Sequence, residues 1–202
     1  SNLLTDDIYK KLHVSGSGSG ILYGLPKIHK ANFPTKFPFR PIFAAYNTAS
    51  YKISKFLVPI LAPFTKNEFT VDNSYSFVRE ITKIENSDSL FMASFDVESL
   101  FTNIPLHETI DICIRLLYSN TNLVLNLTAD LFKELLRLAV LNTLFIFNDV
   151  LYQQTEGLGM GLPLGSTFAN IFMCFHEINW INDCPLLFRP VFYKRYIDDT
   201  FL

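Results

Sequence analysis

Hydrophobic positions along this chain repeat at two periods, and the changes of period divide it into elements. In residues 1–14, Ile8 and Leu12 lie one helical turn apart behind Thr5 and Asp6, which predicts a short amphipathic helix capped by one of those two residues. Residues 21–30 and 39–45 are strand-like apolar runs joined by a basic, Pro-containing connector, the pattern of a hairpin. Helical spacing then predicts a helix over 47–66, with Ile53, Phe56, Leu57, Ile60 and Leu61 as its stripe and Pro59 kinking or shortening it. A second helix is predicted over 74–85, with Phe77, Val78, Ile81 and Ile84 on one side.

Further on, an apolar run at 90–95 reads as a buried strand that delivers Asp96 at its end. Asn103 and Pro105 start a helix carrying Ile110, Ile114 and Leu117. Thr128 caps a helix reaching Leu141, and residues 144–147 and 150–153 form a hairpin turning at Asn148-Asp149. Phe168, Phe172, Met173 and Phe175 give a core stripe to a helix over 167–180. The last ten residues place aromatic and apolar side chains on both sides of Asp198-Asp199. That pattern predicts a hairpin whose tip holds two carboxylates out of the core.

With 202 residues, 49% of them hydrophobic, the chain can bury one sizeable core or two small ones and is not disordered. Mixed strands and helices in this order imply an α+β fold. Cys113, Cys174 and Cys184 have no CxxC spacing and read as small core residues in a reducing compartment. No run reaches the roughly 18 apolar residues of a membrane span, and no basic-then-apolar leader opens the chain. No membrane partner and an intracellular location are therefore expected.

The net charge of −2 conceals a division. From Lys10 to Lys66 there are nine Lys or Arg residues and no Asp or Glu. From Asn67 to Leu202 there are eight basic residues against seventeen acidic ones. A polyanion drawn to the first part would be repelled by the second unless its acids hold cations, although ordinary solvated charge is the plainer account.

The candidate chemistry follows that division. Asp198 and Asp199 repel each other, so at a tight turn they need a cation or some other strong reason to be there. Asp96 at a strand end could join them, or merely cap a turn. Lys27, Lys30 and Arg40 on the first hairpin match a triphosphate clamp, Arg offering a planar fork and Lys a mobile point charge, or they are exposed loop cations. The Ser-Gly run at 15–20 has neither a lysine nor a following helix signature and reads as a linker or long loop. Gly157, Gly159, Gly161 and Gly165 would let another chain approach the backbone, though packing within the protein explains them too.

Taken together, YGLPKIHK, FRPI, FDVESLFTNIP, GMGLPLGSTFANIFM and YKRYIDDTF resemble, in order and rough separation, the motifs of reverse transcriptases, and more narrowly those of Penelope-like retroelements. The resemblance covers about residues 21–202. It implies a right-hand polymerase with fingers over 21–88 and a palm over 89–202, whose antiparallel sheet is backed by helices, and with the thumb absent. It also implies RNA-directed DNA synthesis in the nucleus from a dNTP, on an RNA template and a DNA primer. Two Mg²⁺ ions, with Mn²⁺ as a substitute, would be held by Asp96, Val97, Asp198 and Asp199, the aspartates being catalytic. Lys27, Lys30 and Arg40 would bind the triphosphate, and Gly159 and Gly161 would line the template and incoming base. Phe101, five residues after Asp96, occupies the position of the family's aromatic steric gate against a 2′-hydroxyl.

This sequence departs from that pattern where the Penelope-like elements carry Ser-Pro-Leu-Ser-Pro. Here the run is Leu162-Pro163-Leu164-Gly165-Ser166. The chain also stops three residues after Asp199, so it reads as a fragment expected to polymerise poorly alone, with thumb and any nuclease domain lying beyond Leu202. Two other classes stay open: a degenerate fragment that only binds nucleic acid, and an RNA-templated RNA polymerase-like palm, against which Phe101 discriminates.

Overall fold

The computed structural model describes residues 5–13, 18–28, 38–85, 89–119, 127–141 and 143–202. Helix α1 (Asp6–Leu12) is capped by Thr5, whose hydroxyl accepts the Ile8 N–H, and it packs on helix α2 (Ala49–Leu61). Pro59 does not break α2. The helix continues to Leu61 and tightens into a 3₁₀ turn over Ala62–Phe64. Helix α3 (Ser74–Ile81) starts at a reciprocal capping box between Asn73 and Ser76.

Strands β1 (Gly20–Pro26) and β2 (Phe39–Ala44) form the anticipated antiparallel pair. The other hairpin, β4 (Leu144–Phe147) and β5 (Val150–Gln153), turns at Asn148 and Asp149, whose φ values are 49° and 60°. Two left-handed central residues define the mirror-image turn whose twist matches that of paired strands. One pairing has no local signal. β4 lies parallel to β1 through Gly20–Ile21 and Phe145–Ile146, giving a four-stranded sheet ordered β2-β1-β4-β5. Residues 144–153 thus join the sheet begun at residue 20.

Behind the sheets lies a helical layer. Helix α5 (Leu106–Tyr118) buries Leu106, Ile110, Cys113 and Leu117 along one stripe, and helix α6 (Ala129–Val140), capped by Thr128, buries Phe132, Leu135, Leu136 and Ala139. α5 packs between α6 and helix α7 (Gly165–Asp183), which contributes Phe168, Ile171 and Met173 to the same core. Each Leu, Ile, Phe or Met side chain so removed from water stabilises the fold by about 1.5–3 kcal/mol. Among the described residues, no helix is long and apolar enough to cross a membrane.

The second sheet is antiparallel and ordered β3-β7-β6, with β3 at Ser94–Asp96, β6 at Lys194–Tyr196 and β7 at Asp199–Phe201. Here the structure corrects the sequence reading. The run 90–95 is not a buried strand, since the assigned strand has three residues and Phe91, Met92 and Phe95 are 97%, 80% and 63% exposed. β3 is an edge strand of this sheet, so even Phe95, which shares the face of the buried Thr200 and Arg195, stays largely in solvent. A short helix, α4 (Leu100–Asn103), also precedes α5 where none was predicted.

Candidate active site

Asp96 closes β3 opposite Asp199 of β7, in a register that also opposes Phe95 to Thr200 and Ser94 to Phe201. Ala93 and Leu202 exchange both backbone hydrogen bonds, at 3.0 and 2.9 Å, and the Val97 N–H donates to the Asp198 carbonyl at 2.9 Å. Bonded and non-bonded pairs alternate along such a ladder. Asp96 and Asp199 therefore form a non-hydrogen-bonded pair, Cα atoms about 4.5 Å apart and side chains on one face. Asp198 stands in the turn Ile197-Asp198 that joins β6 to β7. Ile197 has φ 59°, a left-handed conformation that costs a β-branched residue about 1–3 kcal/mol and persists only where its surroundings impose it.

These strand ends open onto a cavity of about 550 Å³. Asp96, Val97, Ile197 and Asp198 line it from the three-stranded sheet, and Lys27 and Arg40 from the region of the β1–β2 hairpin. Ser99 and Phe101 contribute from the α4 region, Gly159 and Gly161 from the glycine-rich segment, and Gly165 and Ser166 from the first turn of α7. Ser99 is a second non-glycine residue at positive φ, 52°, so two left-handed residues flank one cavity. No ion pair among the described residues engages Lys27 or Arg40, which leaves both cations available to an anion.

The structure thus brings together Asp96, Val97, Asp198, Lys27, Arg40, Phe101, Gly159 and Gly161. Lys30 lies outside the described residues. Asp199 lines a neighbouring cavity of about 600 Å³, with Lys194, Tyr196, Asn73 and Phe77. Because Asp96 and Asp199 are cross-strand partners, the two cavities adjoin at this pair.

Among the described residues, no group of three His, Cys, Asp or Glu side chains is arranged to hold a metal ion by itself. The cavity instead offers two carboxylates, Asp96 and Asp198, beside two cations suited to phosphate oxygens. That donor set fits magnesium, which takes one or two carboxylates and completes its shell with water and substrate phosphates rather than an all-protein cage.

Close approach does require the glycines, but the approaching groups belong to the chain. A Cβ on Gly157, at φ 63°, would overlap the Thr102 carbonyl, and one on Gly161, at φ 115°, the Phe43 carbonyl. A Cβ on Gly159 would lie 2.9 Å from that of Phe43. Two backbone bonds complete the packing, Phe43 N–H to the Met160 carbonyl at 2.6 Å and Leu158 N–H to the Phe101 carbonyl at 2.7 Å. The second ties the half-buried Phe101 to the glycine-rich segment.

Sequence reasoning passed over one constellation. Arg195 is 0% exposed and Glu177 1%. Arg195 Nε and Nη2 donate to the two Glu177 oxygens at 2.5 and 3.2 Å, and Nη1 donates to Asn170 Oδ1 at 3.0 Å and to the Ile197 carbonyl at 2.8 Å. Glu177 also accepts from the Tyr193 hydroxyl at 2.9 Å and from Asn67 Nδ2 at 3.0 Å. Burial, reinforced by the charge of Glu177, pushes the Tyr193 phenol above its ordinary range, which keeps it a donor. A signal existed in the chain, because Glu177 is the one acid of the apolar helical run 167–180 and Arg195 lies in a short run flanked by Tyr193 and Tyr196.

No protein-family model matches this chain, and no curated protein matches it in sequence. Solved structures do match in shape. Telomerase from Candida albicans, in complex with a TWJ fragment of telomeric RNA, aligns over 98% of this chain with a TM-score of 0.60 and 14% identity. Apo telomerase from Candida tropicalis aligns over 98% with a TM-score of 0.61 and 12% identity, and its complex with the TWJ fragment over 94% with 0.62 and 13%. The chain has a reverse-transcriptase-like fold. It spans 39%, 43% and 36% of the length of those three telomerase chains. Within this reverse-transcriptase-like fold, the cavity lined by Asp96 and Asp198 also gathers Lys27, Arg40 and the half-buried Phe101 ring.

Proposed function

We propose that this chain is the fingers-and-palm part of an RNA-directed DNA polymerase of the Penelope-like retroelement kind. The observation that carries the reading is the convergence of Asp96 and Asp198 with Lys27, Arg40 and Phe101 on one cavity of a reverse-transcriptase-like fold. In this reading β1 and β2 belong to the fingers and β3, β6 and β7 to the palm. An RNA template and a DNA primer are the macromolecular partners, and a dNTP is the substrate.

Asp96 and Asp198 would hold magnesium, with Asp199 at its margin and the Val97 main chain beside it. When bound, the metal supplies Lewis-acid activation of the primer 3′-hydroxyl and neutralises charge on the leaving pyrophosphate. The residues of the chain do the rest. Arg40 presents a planar fork to the triphosphate oxygens and Lys27 a point charge, both offsetting charge that builds up on the transferring phosphoryl group. The Phe101 ring lies under the sugar and collides with a 2′-hydroxyl, which selects deoxynucleotides. Gly159 and Gly161 expose backbone where the templating and incoming bases pair. Nucleic-acid contacts are mostly to the sugar-phosphate backbone, so binding is tolerant of sequence and weakens steeply with salt.

The test is primer extension on an RNA template with Mg²⁺, by the protein that carries this chain and by its Asp198→Ala variant. Template-dependent DNA synthesis that falls at least about 100-fold in the variant supports the reading. Equal synthesis by both proteins, or none by the wild type, sinks it.

A further inference from the structure

We propose that Arg195, held by Glu177, is a positioning residue for Asp198. Its guanidinium clamps the Ile197 carbonyl and thereby fixes the turn that presents the Asp198 carboxylate to the cavity. The inference rests on the polymerase reading of that cavity.

Two peptide planes flank the Asp198 Cα. The preceding plane contains the Ile197 carbonyl, which accepts from Arg195 Nη1 at 2.8 Å. The following plane contains the Asp198 carbonyl, which accepts from the Val97 N–H at 2.9 Å. With both planes held, the direction of the Asp198 Cα–Cβ bond is determined. Only the second bond belongs to the sheet ladder. The first is made by a side chain, at the residue whose left-handed φ needs outside support.

The guanidinium takes its own position from α7 rather than from the turn. Nε and Nη2 grip Glu177 in a fork, and Nη1 also donates to Asn170. The main chain of Arg195 is fixed as well, its N–H donating to the Phe69 carbonyl and its carbonyl accepting the Val71 N–H, each at 2.8 Å. Helix α7 in turn begins with Gly165 and Ser166, which line the cavity. The turn is thus referenced to the cavity's own wall through one rigid helix. Stability alone does not require such a pair, because apolar residues of similar volume often replace a buried ion pair without loss. Lysine cannot substitute, since a point charge has no fork with which to hold Glu177 and the carbonyl together.

Three readouts besides activity test this on the double variant Arg195→Met/Glu177→Met, which removes the clamp and leaves no buried charge behind. They are thermal unfolding, Mn²⁺ binding by electron paramagnetic resonance, and amide hydrogen exchange over residues 196–199 against residues 144–153. The expected result is a fold that melts near the wild type, faster exchange confined to the turn, and Mn²⁺ affinity down about tenfold or more. In primer extension kcat falls while KM for dNTP stays nearly constant. A folded double variant with wild-type exchange at the turn and wild-type Mn²⁺ affinity overturns the proposal. If the double variant does not fold, Arg195→Lys decides on the same measurements, because it keeps a charge beside Glu177 without the separate Nη1 nitrogen that reaches the Ile197 carbonyl. Unchanged turn exchange in that variant is equally fatal. A wild type that neither binds Mn²⁺ nor extends a primer defeats the polymerase reading instead, while turn exchange still judges the clamp.

Discussion

Asp96 and Asp199 face each other as a non-hydrogen-bonded pair across the β3–β7 ladder, yet they line different cavities. Like charges directly opposite on a sheet cost stability, and here the pair marks the boundary between the site that holds Asp198 and a second open space beside Lys194 and Tyr196. Functional sites retain such local costs because the ligand removes them.

The first prediction concerns that repulsion. Asp96→Asn should stabilise the metal-free protein by about 0.2–1 kcal/mol, because it removes one of two facing charges. Added Mg²⁺ should raise the melting temperature of the wild type and leave that of Asp96→Asn nearly unchanged. Calorimetry with and without Mg²⁺ checks both, and an equal Mg²⁺ response in the two proteins would show that Asp96 holds no cation.

The sugar gate is tested at Phe101. Its ring lines the cavity and also packs against the core, so Phe101→Val should cost about 1–2 kcal/mol of stability, part of the cost of truncating a buried ring. Incorporation of ribonucleotides relative to deoxynucleotides should rise about tenfold or more if the ring discriminates the sugar. Competitive single-nucleotide extension measures the ratio, and an unchanged ratio removes Phe101 from that role.

Gly161 and Gly157 are required by the fold before any ligand arrives. Alanine at either position meets a backbone carbonyl at positive φ, so each substitution should destabilise by about 2 kcal/mol or more. Denaturant unfolding reads this directly. Gly165 has no such contact, its nearest neighbours lying at 3.8 and 3.9 Å, and Gly165→Ala should be nearly neutral for stability.

Thiol chemistry separates the three cysteines. Burial pushes Cys113 up to about 12 from 9.0, and burial likewise raises Cys174, while Cys184 is partly exposed. A maleimide should label Cys184 in the native protein at neutral pH and all three in denaturant. The raised Cys113 value also has a sign for stability. The unfolded thiol ionises near 9.0 and the folded one near about 12, so its contribution is full below pH 9 and is lost as pH rises toward 12. Melting temperature should fall across that window, and less steeply in Cys113→Ala.

Much of this fold is legible locally. Thr5 and Thr128 cap helices that begin at the next residue, and Asn148-Asp149 makes the predicted turn. Each of these features is settled within one or two turns of chain, by a hydroxyl that reaches a nearby N–H or by a residue that tolerates positive φ. Asp96 and Asp198, 102 positions apart in sequence, were paired through the resemblance of their motifs, and they do share a cavity.

Periodicity, caps and turn chemistry act over a few residues, so the linear pattern suffices for the long helices and the hairpins, though not for α4, and it names the residue types of the candidate site. Tertiary structure alone decided the parallel docking of β4 on β1, the exposure of residues 90–95, and the use of the glycines to admit Phe43 and Thr102. It also decided that Arg195, a flanking cation in the linear motif, is buried against Glu177 with one donor on the Ile197 carbonyl. Such outcomes depend on which faces meet after distant segments pack, and a burial cost or a left-handed residue can be accepted only where those neighbours hold it in place.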